Sequence, residues 1–105
     1  MNEKMKVIAD KHGYEYQSRQ LIEEMAELTQ AINKAWRYKD EKYYSAIVEE
    51  IADVEICLEE VKYLLEVDQN EIDRIKEYKI EREMDRLNES EGWKSQMMSR
   101  FMRKE

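Results

Sequence analysis

Apolar residues recur every three or four positions along most of this chain, with polar residues between them, which is the spacing of amphipathic helices. Leu21, Met25, Leu28, Ile32 and Ala35 form one stripe, and Ile47, Ile51, Val54, Leu58, Val61 and Leu65 form the next. The pattern predicts a short helix over residues 2–12, started by Asn2 as N-cap and ended by Gly13 as a C′ residue. A longer helix is expected from about Tyr14 to Arg37, with Tyr38-Lys39-Asp40-Glu41 as the turn and Asp40 as the next N-cap. The third is expected from about Glu41 to Glu66. Asp68-Gln69-Asn70-Glu71 reads as a capping box that opens a fourth helix ending near Asn88. Glu89 to Gly92 reads as a break, and Trp93 to Glu105 as a Met-rich, basic tail with room for one more short helix. Connections this short make neighbours antiparallel, so the expected fold class is all-α, an antiparallel helical bundle of about four helices. A chain of 105 residues fits a single domain, 1–105, with its core at about 14–88 and a C-terminal tail at 89–105. Long stripes on a core this small predict assembly as an oligomer.

Acid interrupts the stripes twice, and in the same way. Ile22-Glu23-Glu24-Met25-Ala26-Glu27-Leu28 is nearly repeated by Val48-Glu49-Glu50-Ile51-Ala52-Asp53-Val54. At about 100° per residue, with Leu21 as zero, Glu24 falls near 300° inside the apolar arc and Glu27 near 240° at its edge. With Ile47 as zero, Glu50 and Asp53 take the same two phases, about 300° and 240°, whereas Glu23 and Glu49 point away near 200°. If the two helices face each other, four carboxylates converge, and their mutual repulsion calls for a cation. Oxygen donors without thiolate or imidazole suit Mg²⁺, with Mn²⁺ as a substitute. A di-iron bundle would want Glu-x-x-His pairs, and His12 is the only histidine. The competing reading is that these are ordinary surface acids on highly charged helices.

The fourth helix carries cations on one edge. Lys79, Arg82 and Arg86 continue the stripe begun by Ile72 and Ile75, where they would suit phosphate oxygens. Salt bridging to Glu83 or Asp85 competes with that role, and Ile80, Met84 and Leu87 offer a second apolar edge. Lys34, seven residues after Glu27, is a further phosphate candidate. Gln17 and Gln20 precede Glu24 on its own side of the helix, where an amide could read a base edge or orient water. Trp36 and Tyr44 are read as packing or base-stacking aromatics, and Cys57 as a small buried hydrophobe. Met97, Met98, Phe101 and Met102 read as packing against a partner.

Composition narrows the classes. Charged residues make up 41% and hydrophobic ones 42%, with two glycines and no proline, which fits long helices rather than a sheet. The net charge of −7 argues against a nucleic-acid partner. A lone cysteine excludes an intramolecular disulfide. Nothing reads as a signal peptide or as an apolar run long enough for a bilayer, so no membrane partner and a cytoplasmic location are expected.

The paired motif Glu23-Glu24-Met25-Ala26-Glu27-Leu28 and Glu49-Glu50-Ile51-Ala52-Asp53-Val54, with 22 residues between Glu27 and Glu50, resembles that of MazG-type nucleoside triphosphate pyrophosphatases. The resemblance spans about residues 14–88, and Lys79 with Arg82 is similar to the Lys-x-x-Arg element of many small members. It implies an all-α enzyme, dimeric or tetrameric, that cleaves a nucleoside triphosphate substrate between the α and β phosphates. Carried over, Glu24, Glu27, Glu50 and Asp53 would bind Mg²⁺. Lys79 and Arg82, and more weakly Arg86, would contact the triphosphate. Glu23 or Glu27 would take the proton from water. A non-catalytic nucleotide sensor, a helical assembly protein and a related phosphohydrolase acting on phosphoribosyl-ATP are the alternatives.

Overall fold

The computed structural model describes residues 1–102; from residue 90 onward, only the side chains of Met97 and Arg100 are described. It is all-helical over that range, with α1 at Glu3–Tyr38, α2 at Glu41–Leu64 and α3 at Gln69–Met102. The chain divides into two compact units, Met1–Val67 and Asp68–Glu105.

The first unit is a hairpin of α1 and α2. The Asn2 side chain accepts the Met5 N–H at 2.8 Å and starts α1. The helix is interrupted at Gly13, whose φ of 82° and ψ of 170° lie in a region only glycine occupies easily. The expected short first helix is therefore the N-terminal segment of α1, joined through one residue instead of a loop. Among the described residues three helices stand where about four were expected. At the other end Lys39 adopts a left-handed conformation and its N–H bonds the Ala35 carbonyl at 3.0 Å. Asp40 caps α2 by accepting the Lys42 N–H at 3.1 Å. Only Lys39 and Asp40 separate the helices.

α2 stops two residues short of its expected end. Glu66 takes a positive φ of 55°, Val67 N–H reaches the Lys62 carbonyl and Glu66 N–H the Tyr63 carbonyl. That is the Schellman arrangement, built here without glycine, so no residue type announced it.

Two ties hold the far ends of the hairpin together. The Tyr63 hydroxyl donates to Asp10 at 2.9 Å, and the Gln17 amide donates to Glu60. Both pairs join α1 to α2 in the antiparallel sense, one on each side of the Gly13 interruption. The seam follows one edge of each apolar stripe, with Leu21, Leu28, Ala35, Ile47 and Val54 half-buried along it. Buried on it are Ala9, Gln17, Ala31, Glu60 and Val61, whereas Met25, Ile32, Ile51 and Leu58 remain exposed. Gln17, Gln20, Glu24, Glu27 and Ala31 cluster about 80° from the centre of the α1 stripe, and their α2 counterparts are displaced by about 100°. The helices thus meet along the edge that carries the acids.

α3 forms the second unit. The Asp68 carboxylate accepts the Asn70 N–H at 2.9 Å, a cap on the second helical residue rather than the bond to the Glu71 N–H that the expected capping box requires. No Glu71 side-chain bond completes it among the described residues. The helix runs through Glu89 and Gly92 to Met102, where a break was expected. One glycine costs a helix only about 1 kcal/mol, and there is no proline to stop it. Residues 103–105, and the side chains of Met98, Phe101 and Met102, lie outside the described residues. No described helix is long and apolar enough to cross a membrane.

Candidate functional site

The register of the hairpin assembles the acids. Gln17 lies opposite Glu60, and between that pair and the turn Glu24 and Glu27 of α1 come up against Glu50 of α2. Gln17, Gln20, Glu24, Glu27 and Ala31 on α1, and Ala46, Glu50, Asp53, Cys57 and Glu60 on α2, are each spaced in alternating steps of three and four, the repeat that keeps residues on one helical face.

Glu24, Glu27 and Glu50 each place one carboxylate oxygen within 4.8 Å of the others. Glu24 and Glu50 are half-buried, and one oxygen of each is shut off from solvent with no hydrogen-bond partner. A buried lone pair left unmatched is costly, so these two atoms call for a donor or a cation. Loss of surrounding water pushes the Glu24 pKa from its ordinary 4.5 up to about 7, and the charges of Glu27 and Asp53 add to the effect. Glu50 is pushed up as well, first by burial and then by Glu27. Asp53 is exposed and stands outside the group of three, but its charge reaches both Glu24 and Glu50. One turn along α2 from Asp53, Cys57 is held as a thiol by burial and by the charges of Glu24, Glu60 and Asp53.

The remaining candidates are more dispersed. Glu23 is exposed on α1 and borders an open hollow with His12, Glu15, Tyr16, Arg19 and Gln20, apart from the three converging carboxylates. Lys34 is exposed near the turn. Gln17 is buried with its amide engaged by Glu60, whereas Gln20 is half-buried and borders the hollow. On α3, Arg86 pairs with Glu83 at 3.3 Å, the salt bridge weighed against a phosphate role. The Arg82 guanidinium lies over the Tyr78 ring at 5.8 Å. Lys79 borders an apolar hollow with Ile80, Met84 and Leu87. Neither edge of α3 is buried: Ile75, Ile80, Met84 and Leu87 are all exposed.

Glu60 is the residue that sequence reasoning missed. By residue type alone it is one of many acids on a charged helix. The signal was there, since Asp53, Cys57 and Glu60 share the i, i+4, i+7 spacing of one face.

No known protein family, curated protein or solved structure matches the chain.

Proposed function

We propose that this chain is a Mg²⁺-dependent nucleoside triphosphate pyrophosphohydrolase of the MazG type, converting an NTP or dNTP to the monophosphate and pyrophosphate. The observation that carries the proposal is the convergence of Glu24, Glu27 and Glu50 from two helices, with a buried, unpartnered oxygen on each of Glu24 and Glu50. Such oxygens fit a hard cation with oxygen ligands better than they fit a structural role. Glu24, Glu27, Glu50 and Asp53 would hold Mg²⁺ or Mn²⁺. Bound metal supplies polarisation of the α-phosphate and a more acidic water.

The chain's own residues do the rest. Water attacks the α-phosphorus, the bond to the α–β bridging oxygen breaks, and pyrophosphate leaves. Glu27, inside the cluster, or Glu23, on the outer edge of α1, takes the proton of the water. By the resemblance alone, Lys79 and Arg82, with Arg86 and Lys34 in support, would stabilise charge on the phosphates. Gln20 is the amide left free for a base edge, since Gln17 serves Glu60.

The active form is a homodimer or homotetramer in which helices of neighbouring copies complete a bundle. Support comes from the wide apolar exposure of the hairpin unit, with Trp36 77% exposed and Ile22, Val48 and Ile56 also open to solvent; patches of that kind mark association surfaces. The same exposure favours a second reading, a helical assembly protein without catalysis. Pyrophosphate release from a panel of NTPs and dNTPs, with and without Mg²⁺, separates the two. Metal-dependent release with monophosphate as co-product supports the enzyme. Folded protein that releases none while Mg²⁺ leaves its thermal stability unchanged supports the assembly reading.

A further inference from the structure

Gln17 is 3% and Glu60 2% exposed, and they are the buried polar side chains among the described residues. They meet across the seam, 43 positions apart in sequence, with the Gln17 amide donating to a Glu60 carboxylate oxygen. Burial raises the Glu60 pKa, opposed by the charge of His12 and by the Gln17 hydrogen bond. An acid buried against one amide is a poor source of stability compared with an aliphatic pair of similar shape. Its presence on the seam therefore needs another reason.

The position of the pair supplies one. The carboxylate layers begin seven residues further along α1, about 10 Å down the seam. Like charges there push α1 and α2 apart. At one end of the charged stretch the two-residue turn Lys39–Asp40 holds the helices together. At the other end α1 is interrupted at Gly13 and cannot act as a stiff rod beyond that residue. Between turn and interruption the seam is gripped by half-buried Leu21, Leu28, Ile47 and Val54 and by buried Val61, aliphatic contacts that fill space without selecting a single register.

We infer that Gln17 and Glu60 are positioning residues, a polar tie that holds α1 and α2 at the separation and register in which Glu24, Glu27 and Glu50 converge. The inference rests on the metal-dependent reading for its consequence, though not for the tie itself. A hydrogen bond satisfied at one register only does what interchangeable aliphatic contacts cannot. With the tie intact, the cage is preformed before the cation arrives.

The test uses Gln17→Ala, the exchange Gln17→Glu with Glu60→Gln, and Val61→Ala as an equally buried change beside Glu60. Mn²⁺ alone is titrated and its free fraction read by electron paramagnetic resonance. In metal-free protein, the distance between nitroxides at Arg19→Cys and Glu55→Cys is measured in a Cys57→Ser background. Gln17→Ala is expected to raise the Mn²⁺ Kd about tenfold, within the range for loss of a group that orients metal ligands, and to broaden the distance distribution. The exchange should restore both, and Val61→Ala should lower the Tm and move neither. Gln17→Ala with the parental Kd and the parental distribution overturns the tie. Should Gln17→Ala fail to fold, Gln17→Met keeps the volume and carries the same test. If the parental protein binds no Mn²⁺, the metal reading fails, and the distance distribution alone decides for or against the tie.

Discussion

Two layers of one seam bury acid, and they do so in opposite ways. At Gln17–Glu60 the carboxylate is almost wholly enclosed, yet an amide reaches it. About 10 Å along the seam, Glu24 and Glu50 are less enclosed as residues, yet one oxygen of each has no partner. The more deeply buried layer is the satisfied one, so satisfaction rather than depth marks where a ligand is wanted. A closed layer has nothing further to gain from a ligand. An open one lowers its energy only when a donor or a cation enters, so the open layer is where chemistry is to be sought.

The sharpest way to break this contrast is to fill the open layer with amides. Glu50→Gln or Asp53→Asn should abolish pyrophosphate release, a loss beyond the about 10–100-fold of an outer-shell change, while helix content by circular dichroism stays intact. Parental turnover in both variants would mean that the open layer is not the site. Metal should act on the open layer alone. Saturation at about 100 times Kd raises stability by about 2.7 kcal/mol, read as a rise in Tm that is absent in Glu50→Gln.

Opening the closed layer should cost stability in the metal-free protein too. Gln17→Ala removes a hydrogen bond to an acid and is expected to destabilise by about 2 kcal/mol, visible as a lower urea midpoint.

Protons offer a gentler probe. Glu24 rises from 4.5 to about 7 on folding, so between those values the folded state binds more protons than the unfolded one. Metal-free stability should therefore be greatest below about pH 4.5 as far as this group is concerned, and decline as pH rises towards 7. Added Mg²⁺ should oppose the decline, because binding expels the same proton. A metal-free stability curve that rises through that window would remove Glu24 from the open layer. The smallest effect is expected far from both layers. Asn2→Ala deletes the cap of α1 for about 1 kcal/mol and should leave Mn²⁺ affinity unchanged.

Much of this was readable before any fold was known. Asn2 and Asp40 announced two helix starts, and Gly13 the interruption of α1, because short polar side chains and glycine have few other reasons to sit there. The end of α2 was hidden, since Glu66 takes a left-handed conformation that glycine usually marks. Gly92 misled in the other direction, as one glycine inside a run of good helix formers does not end a helix. Within the site, the i, i+3 spacing placed Glu24 with Glu27 and Glu50 with Asp53, each pair on one face. Glu60 stayed unseen because an acid on a charged helix looks the same whether its partner is water or Gln17.

By itself, then, the sequence determined that this chain is helical, where two of its helices begin, and that matching pairs of acids stand at matching phases, for periodicity and capping are local and act within a few residues. Which edge of each stripe became the seam, and hence which acids are closed by a partner and which are left open, was decided by tertiary structure alone. Those outcomes depend on the axial register between residues more than twenty positions apart, and nothing local encodes a register until both helices are in contact.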